Sequence, residues 1–136
     1  MAFGEDTSKQ IDVLGATPQA VTSAWVDIGD EISAAGYNTM LLWANVDIGD
    51  STNIRLRCLA KSTLDAGVLE FEYPIMTAST TVVGVEGRYF EWTTDEDQRQ
   101  ILQINLNGLI PIVQLQVKAA ANQTTGTIDN LWVHLI

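Results

Sequence analysis

The chain has 136 residues, the length of one domain, and its 7 Lys and Arg stand against 17 Asp and Glu, for a formal net charge of −10. So few basic residues argue against a protein that binds nucleic acid through phosphate contacts, and a lone cysteine, Cys58, excludes an internal disulfide. Hydrophobic residues make up 46% of the chain, which is enough for a folded core and too many for a disordered chain.

The N-terminal segment, residues 1–10, contains Glu5 and Asp6 and lacks the apolar block of a secretory signal peptide. We predict that residues 1–10 form an N-terminal arm and that residues 11–136 form a single β-sandwich domain. No stretch approaches the roughly 20 apolar residues that a membrane helix requires. The sequence therefore predicts a soluble protein that is made in the cytoplasm and has no membrane partner.

Hydrophobic and polar residues alternate along most of the chain, as in residues 52–61, where Ile54, Leu56, Cys58 and Ala60 share one face. This alternation is typical of strands that have one buried face and one solvated face. We therefore expect eight or nine strands, allowing for bulges and merged runs. The runs lie near residues 10–14, 23–28, 37–48, 52–61, 68–75, 79–83, 87–93, 98–106, 109–119 and 126–136.

Two local signals predict how the runs connect. Ala34 and Ala35 precede Gly36, so Asp30 to Ala35 is the best place for a single helical turn. Asn107-Gly108 lies between two alternating runs and favours a hairpin with a type I′ turn. Many short antiparallel strands in one small domain predict an all-β fold, an antiparallel β-sandwich that is jelly-roll-like and has about eight strands.

Two of the runs are apolar on both faces. Leu41 and Trp43 lie opposite the apolar face of the run 39–48, and Ile110 and Ile112 interrupt a polar face near residue 110. A strand of this kind is either covered by other parts of the chain or lies at an interface. Loops or the N-terminal arm cover these residues in the first interpretation, and a second subunit covers them in the alternative.

The pentapeptide Val-Asp-Ile-Gly-Asp occurs at Val26–Asp30 and again at Val46–Asp50. The simpler interpretation is two similar exits from a strand into a turn, in which Gly permits the turn and Asp bonds nearby backbone. The alternative is a calcium site, because hard cations prefer carboxylate and carbonyl oxygens. The candidate ligands in that case are the carboxylates of Asp27, Asp30, Asp47 and Asp50.

Three of the seven basic residues form a stripe on one strand face: Arg55, Arg57 and Lys61. A hairpin to the run that contains Glu70 and Glu72 would place Arg57 opposite Glu72, as part of a charge ladder on a solvated face. The alternative interpretation of this basic stripe is a contact with an acidic partner.

Few residues are candidates for catalysis. Glycoside hydrolysis needs two carboxylates across a cleft, and nothing around the available acids indicates a raised pKa. His134 alternates with Leu131, Val133 and Leu135 and is expected on the outer or partner face of a strand together with Trp132. We therefore predict a protein that is not an enzyme, and we assign no catalytic, cofactor-binding or metal-binding residue. The acids considered for hydrolysis are Glu70, Glu72, Glu86 and Glu91.

Four tryptophans have two interpretations, as large core or interface residues or as a sugar-stacking surface. The second interpretation predicts that a pair of them lies exposed beside a groove. The tryptophans are Trp25, Trp43, Trp92 and Trp132.

The run Ala24–Lys61, with its two Val-Asp-Ile-Gly-Asp segments, and the closing Gly-Thr-Ile-Asp-Asn-Leu-Trp-Val at residues 126–133 resemble small β-sandwich virion proteins of tailed bacteriophages. This resemblance implies a capsid decoration (cement) protein located on the virion surface, or alternatively a carbohydrate-binding or host-recognition module of the tail. It implies the major capsid protein or other virion proteins as partners, and a homo-oligomer such as a trimer. It assigns no functional residue.

Overall fold

The computed structural model describes residues 8–61, 70–72, 76–77, 89–106, 108, 110–120 and 125–136, with residues 61, 70–72, 76–77 and 98–102 described by their backbone alone. Within these ranges the chain forms eleven strands. They are β1 (Lys9–Asp12), β2 (Gln19–Ala20), β3 (Val26–Ser33), β4 (Thr39–Asp47), β5 (Ile54–Lys61), β6 (Glu70–Glu72), β7 (Met76–Thr77), β8 (Phe90–Trp92), β9 (Glu96–Asn105), β10 (Ile112–Ala119) and β11 (Thr127–Leu135).

The strands form two antiparallel sheets, which confirms the predicted all-β sandwich. One sheet, called sheet A, has the order β1-β11-β4-β9-β7, with β2 also paired to β11. The other, sheet B, has the order β3-β10-β5-β6, with β8 also paired to β5. Because β1 and β2 share one edge of sheet A, and β6 and β8 share one edge of sheet B, the number of strand positions is close to the eight or nine predicted.

The core lies between the sheets and is built from the predicted alternation. Inner-face residues of β4 and β11 in sheet A, such as Leu42 and Val133, are buried, and so are Leu56 and Leu115 in sheet B. In β5 the predicted apolar face is confirmed, because all four of its inner residues are 0% exposed. Cys58 is one of these four residues.

The predicted helical turn at residues 30–35 is wrong, because β3 continues to Ser33. Ile28 lies opposite Leu115 and Ile32 lies opposite Val113, so a bulge of three residues in β3 faces the single residue Gln114. Both isoleucines are buried, and the bulge lets the three polar or small residues between them pass opposite a single residue of β10. Ala34 and Gly36 instead belong to the turn into β4, where the Tyr37 amide donates a hydrogen bond to the Ala34 carbonyl at 3.1 Å.

The predicted hairpin at Asn107-Gly108 is also wrong, although Asn107 itself lies outside the described residues. β9 pairs with β4 and β7 in sheet A, whereas β10 pairs with β3 and β5 in sheet B, so the chain crosses between the sheets here. The Gly108 amide donates to the Tyr37 carbonyl at 3.0 Å. Asn107-Gly108 thus correctly predicts a turn, with Gly108 at φ +70°, but the strand that follows the turn does not pair with β9.

Two further expectations fall partly or wholly outside the described residues. The run predicted at 79–83 lies outside them, as do residues 1–7 of the predicted N-terminal arm. The last two residues of that arm, Lys9 and Gln10, belong to β1 and pair with Leu135 and His134. The short strands β2 and β7 had no counterpart among the predicted runs. No helix long and apolar enough to span a membrane occurs in the part of the chain that the structure describes.

Candidate functional site: the tryptophan face of sheet A

The outer face of sheet A presents two tryptophans side by side. Trp132 in β11 lies directly opposite Trp43 in β4, and both indoles are half-buried. Residues opposite each other in an antiparallel pair project from the same face with Cβ atoms about 4.5–5.5 Å apart. We call this region the tryptophan face. Trp43 belongs to the run 39–48, one of the two runs that the sequence predicts to be apolar on both faces. The pairing of Trp43 with Trp132 joins residues that are far apart in the sequence.

The edge strand β1 adds polar side chains to the tryptophan face. Asp12 lies opposite Trp132, and Gln10 lies opposite His134. Because β11 is central to both pairings, Asp12, Trp132 and Trp43 form one row across the sheet. The next row contains Gln10, His134 and Leu41.

These rows border a groove of about 420 Å³. The size falls within the roughly 300–1,000 Å³ of small-molecule sites. The Trp43 and His134 rings lie 6.4 Å apart between centroids, with their planes tilted by 33°. The residues that line the groove are Gln10, Ile11, Asp12, Trp43, Trp132, Val133 and His134.

His134 occupies the outer face of β11 beside Trp132, as predicted. Its Nε2 atom is shielded from solvent and has no hydrogen-bond partner among the described residues. A buried polar atom without a partner costs free energy relative to the same atom in water. Nε2 is therefore closed to solvent in this arrangement, and it would bond a group in the groove only after a rotation of the imidazole ring.

The other two tryptophans lie elsewhere. Trp92 is 4% exposed and packs edge-on against Phe90, with ring centroids 4.9 Å apart. Trp25 lies on the outer face of sheet B, where the Arg57 guanidinium is 4.3 Å and the Lys118 ammonium 5.6 Å from its ring centroid. Trp43 and Trp132 are therefore the two tryptophans that share a groove, but they are half-buried and not exposed as the sugar-stacking interpretation predicts.

On sheet B, two residues of the predicted basic stripe, Arg55 and Arg57, contact neighbouring side chains, and the side chain of Lys61 lies outside the description. Arg55 forms an ion pair with Glu91, with Nε 2.8 Å from Oε2. Arg57 donates from Nε to Gln116 Oε1 at 2.8 Å, and Gln116 Nε2 donates to Asp27 Oδ1 at 2.8 Å. These contacts fit the interpretation of a cross-strand ladder better than that of an open site for an acidic partner.

The predicted pairing of Arg57 with Glu72 is wrong by two residues, because Leu59 lies opposite Glu72. Eight residues, 62–69, separate β5 from β6 and lie outside the described residues, so the sequence offers no two-residue turn that would fix the register. The hairpin between β5 and β6 itself is confirmed. Leu59 and Ile112 both lie on the outer face of sheet B, yet Leu59 is only 7% exposed and Ile112 only 4% exposed.

The two Val-Asp-Ile-Gly-Asp segments have different roles. The first lies inside β3, and its Gly29 belongs to the bulge, so the predicted exit into a turn is wrong there. The second leaves β4 as predicted: Asp47 Oδ1 accepts from the Gly49 amide at 3.0 Å. Asp50 Oδ1 accepts from the Thr125 amide at 3.1 Å and from the Thr125 hydroxyl at 2.7 Å.

The acidic residues of these segments do not assemble into a cation site. Within the described ranges, no three His, Cys, Asp or Glu side chains lie close enough to hold a metal ion. Instead, the carboxylates of Asp47, Asp50 and Asp95 accept hydrogen bonds from backbone amides or from Thr125, and Asp27 accepts from Gln116. The calcium interpretation has no support in this arrangement.

The turn after β4 requires glycine at position 49. Its φ is +58°, and a Cβ added there would lie 2.8 Å from the Thr125 carbonyl carbon and oxygen. We expect Gly49→Ala to lower the free energy of unfolding by about 2–4 kcal/mol, because left-handed strain and the backbone clash add. Gly15→Ala is the matched control, since Gly15 has φ +62° and open space around its Cβ position. It should lose only about 1–2 kcal/mol in urea unfolding, and equal losses would contradict the proposed clash.

Of the acids considered for hydrolysis, only Glu91 has a described side chain. Glu91 pairs with Arg55, Glu70 and Glu72 are described by their backbone, and Glu86 lies outside the described residues. Gln10 and Asp12 line the groove although neither was predicted as a functional residue, Gln10 because it lies in the predicted arm and Asp12 because it lies in the predicted run 10–14. No local signal marked them, because their place depends on pairing with β11.

The architecture is an antiparallel β-sandwich that carries an aromatic groove on one outer face. No protein-family model matches the sequence, and a comparison with curated proteins finds no similar sequence. A comparison with solved structures finds the crystal structure of the SPBc2 prophage-derived protein YomS. The alignment has a TM-score of 0.55 and 12% sequence identity, and it covers 99% of this chain and 97% of YomS. At this identity the similarity is one of fold.

Proposed function

We propose that this protein is a non-enzymatic structural protein of a phage virion, and that it acts as a capsid decoration (cement) protein that stabilises the head. The observation that carries the proposal is the fold shared with a prophage-derived protein over nearly the whole of both chains. This similarity agrees with the resemblance that the sequence bears to tailed-phage β-sandwich proteins.

The strand order adds support. Consecutive strands alternate between the sheets from β2 to β5 and from β6 to β11. As a result, β1, β11, β4 and β9 lie side by side in sheet A and β3, β10, β5 and β6 in sheet B. We infer that this is jelly-roll wiring, an architecture used by viral capsid domains and also by lectins. A sandwich of this kind presents two broad outer faces, which suits a protein that packs against a lattice.

The distribution of charge also suits assembly. The described groove lining on the tryptophan face contains a single acidic residue, Asp12, and neither lysine nor arginine. Net negative charge keeps a free protein soluble, and a neutral face avoids desolvating charges when it is covered. We propose the major capsid protein or other virion proteins as partners, with self-association into an oligomer such as a trimer and no role for nucleic acid or membrane.

Co-sedimentation with capsids tests this proposal. The purified chain should sediment with expanded heads of the phage that encodes it and should behave as an oligomer in analytical ultracentrifugation. Heads that already carry the protein at full occupancy serve as the control and should take up no more. A strictly monomeric chain that stays in the supernatant would contradict the proposal.

A second candidate function is carbohydrate binding or host recognition by a tail-associated module. One observation favours it: Trp43 and Trp132, both half-buried, lie side by side at a groove. The two candidates differ in where the protein sits on the virion.

A further inference from the structure

We propose that the groove on the tryptophan face is a binding site for a neutral saccharide. The inference rests on the second candidate function and names its site and its class of ligand. The groove offers an aromatic platform, flanking polar groups and little charge, and each of these features selects for a different property of a sugar ring.

The platform comes from the paired indoles. A pyranose ring has apolar faces of C–H groups and a rim of hydroxyls, so one face can pack on an indole while the rim stays hydrated. Trp43 and Trp132 lie directly opposite each other on neighbouring strands and are half-buried, so their rings are held by the sheet. Aromatic side chains held in place in this way lose little conformational entropy when a ligand binds.

The flanking groups come from β1 and β11. Gln10 can donate and accept, Asp12 can accept, and both are exposed at the border of the groove. Asp12 Oδ1 already accepts from the Gly15 amide at 3.0 Å, which fixes the direction of the carboxylate. His134 of β11 also lines the groove, and because its Nε2 atom is shielded from solvent, it would meet a ligand hydroxyl only after a rotation of the ring.

The charge of the groove selects against anions. Its described lining contains Asp12 and neither lysine nor arginine. A phosphate, sulfate or carboxylate group would meet a negative side chain there and no cation to balance it. A neutral hexose or N-acetylhexosamine unit is the class of ligand that fits the aromatic, polar and charge features together.

The concave shape distinguishes this site from a contact between copies. Contacts between proteins bury about 800 Å² on each partner and favour broad surfaces, whereas a groove with a few convergent polar groups is the form of a small-molecule site. A second copy of the chain is still the main alternative to a saccharide in this groove, so the test must distinguish a bound saccharide from a bound second copy.

Titration with defined saccharides provides the test. The probes are maltohexaose, cellohexaose and N-acetylchitohexaose, followed by a glycan array that includes acidic glycans. Binding of a neutral glycan should shift the tryptophan fluorescence and protect it from acrylamide quenching. Trp132→Ala should weaken binding roughly tenfold or more. The matched control is Trp25→Ala, which removes a tryptophan from sheet B and should leave the affinity unchanged.

Three results would overturn the inference. The first is no binding by the wild-type chain to any neutral glycan up to about 1 mM, with no protection from acrylamide, a measurement that requires no variant. The second is selective binding of acidic glycans. The third is dissociation of an oligomer by Trp132→Ala, since that would place a second copy on the groove. None of these results affects co-sedimentation of the wild-type chain with capsids, so the decoration proposal is tested separately.

Discussion

Leu42→Ala is expected to lower the free energy of unfolding by about 3–5 kcal/mol, whereas Leu41→Ala should lower it by about 1 kcal/mol. The two leucines are neighbours in β4. Leu42 is 0% exposed and faces the core between the sheets, whereas Leu41 is half-buried on the outer face. Truncating Leu42 leaves a cavity that the packed sandwich cannot fill. Urea unfolding monitored by tryptophan fluorescence measures both changes.

The comparison of the two leucines tests the assignment of faces. Both substitutions remove the same atoms from the same strand, so differences in strand propensity cancel. Similar losses for the two variants would mean that β4 does not have one core face and one outer face. A larger loss for Leu41→Ala would mean that the strand is shifted by one residue, since such a shift exchanges the faces.

Cys58 is expected to resist thiol reagents in the folded protein and to make stability depend on alkaline pH. It is buried, and desolvation raises the pKa of its thiol from 9.0 to about 12. Below pH 12 the folded state therefore holds a proton that the unfolded chain releases above pH 9. The thiol's contribution to stability is fully present below pH 9 and is lost progressively as the pH rises toward 12.

The expected slope is a loss of up to about 1.4 kcal/mol per pH unit in this window. Cys58→Ala provides the control, because it keeps every other titrating group and removes only this one. The difference in unfolding free energy between wild type and variant should shrink as the pH rises above 9. A pH-independent difference would contradict the assigned burial of the thiol.

The same burial slows chemical modification. A rise in pKa from 9.0 to about 12 lowers the thiolate fraction near neutral pH by about 1,000-fold. Labelling with dithionitrobenzoate should therefore proceed through unfolding and speed up with urea. Rapid stoichiometric labelling of the folded chain would show that Cys58 is accessible.

Much of the fold could be predicted from the sequence, because the alternation of hydrophobic and polar residues along a strand is a local property. The inner faces of β5, β10 and β11 follow directly from it. Which strands pair with each other could not be predicted, because strand pairing depends on contacts between residues that are distant in the sequence. Asn107-Gly108 shows the difference: a change of direction could be predicted there, but the crossing from sheet A to sheet B could not.

The candidate site shows the same limit. Four tryptophans could be counted, and a pair beside a groove could be proposed, but the pair could not be chosen. Trp43 and Trp132 meet only because β4 and β11 are neighbours in sheet A. Gln10 and Asp12 join them through the pairing of β1 with β11, which no pattern in the N-terminal segment indicates.

The bulge in β3 illustrates a second kind of limit. It places Ile28 and Ile32 on the core side four residues apart, and Gln114 fills the space opposite. Gln114 is 4% exposed and donates from Nε2 to the Gly29 carbonyl at 3.2 Å. The predicted helical turn rested on Ala34 and Ala35 before Gly36, and only the pairing of β3 with β10 shows that residues 30–33 belong to an irregular strand.

Antibody labelling of purified virions tests the central claim most directly. Virions of the phage that encodes the chain would be treated with an antibody against the folded protein and examined by electron microscopy with gold detection. A capsid decoration protein predicts gold over the head surface, in repeated positions, on intact particles. Gold confined to the tail would contradict decoration and favour the carbohydrate-binding module, and virions without the protein would contradict a structural role altogether.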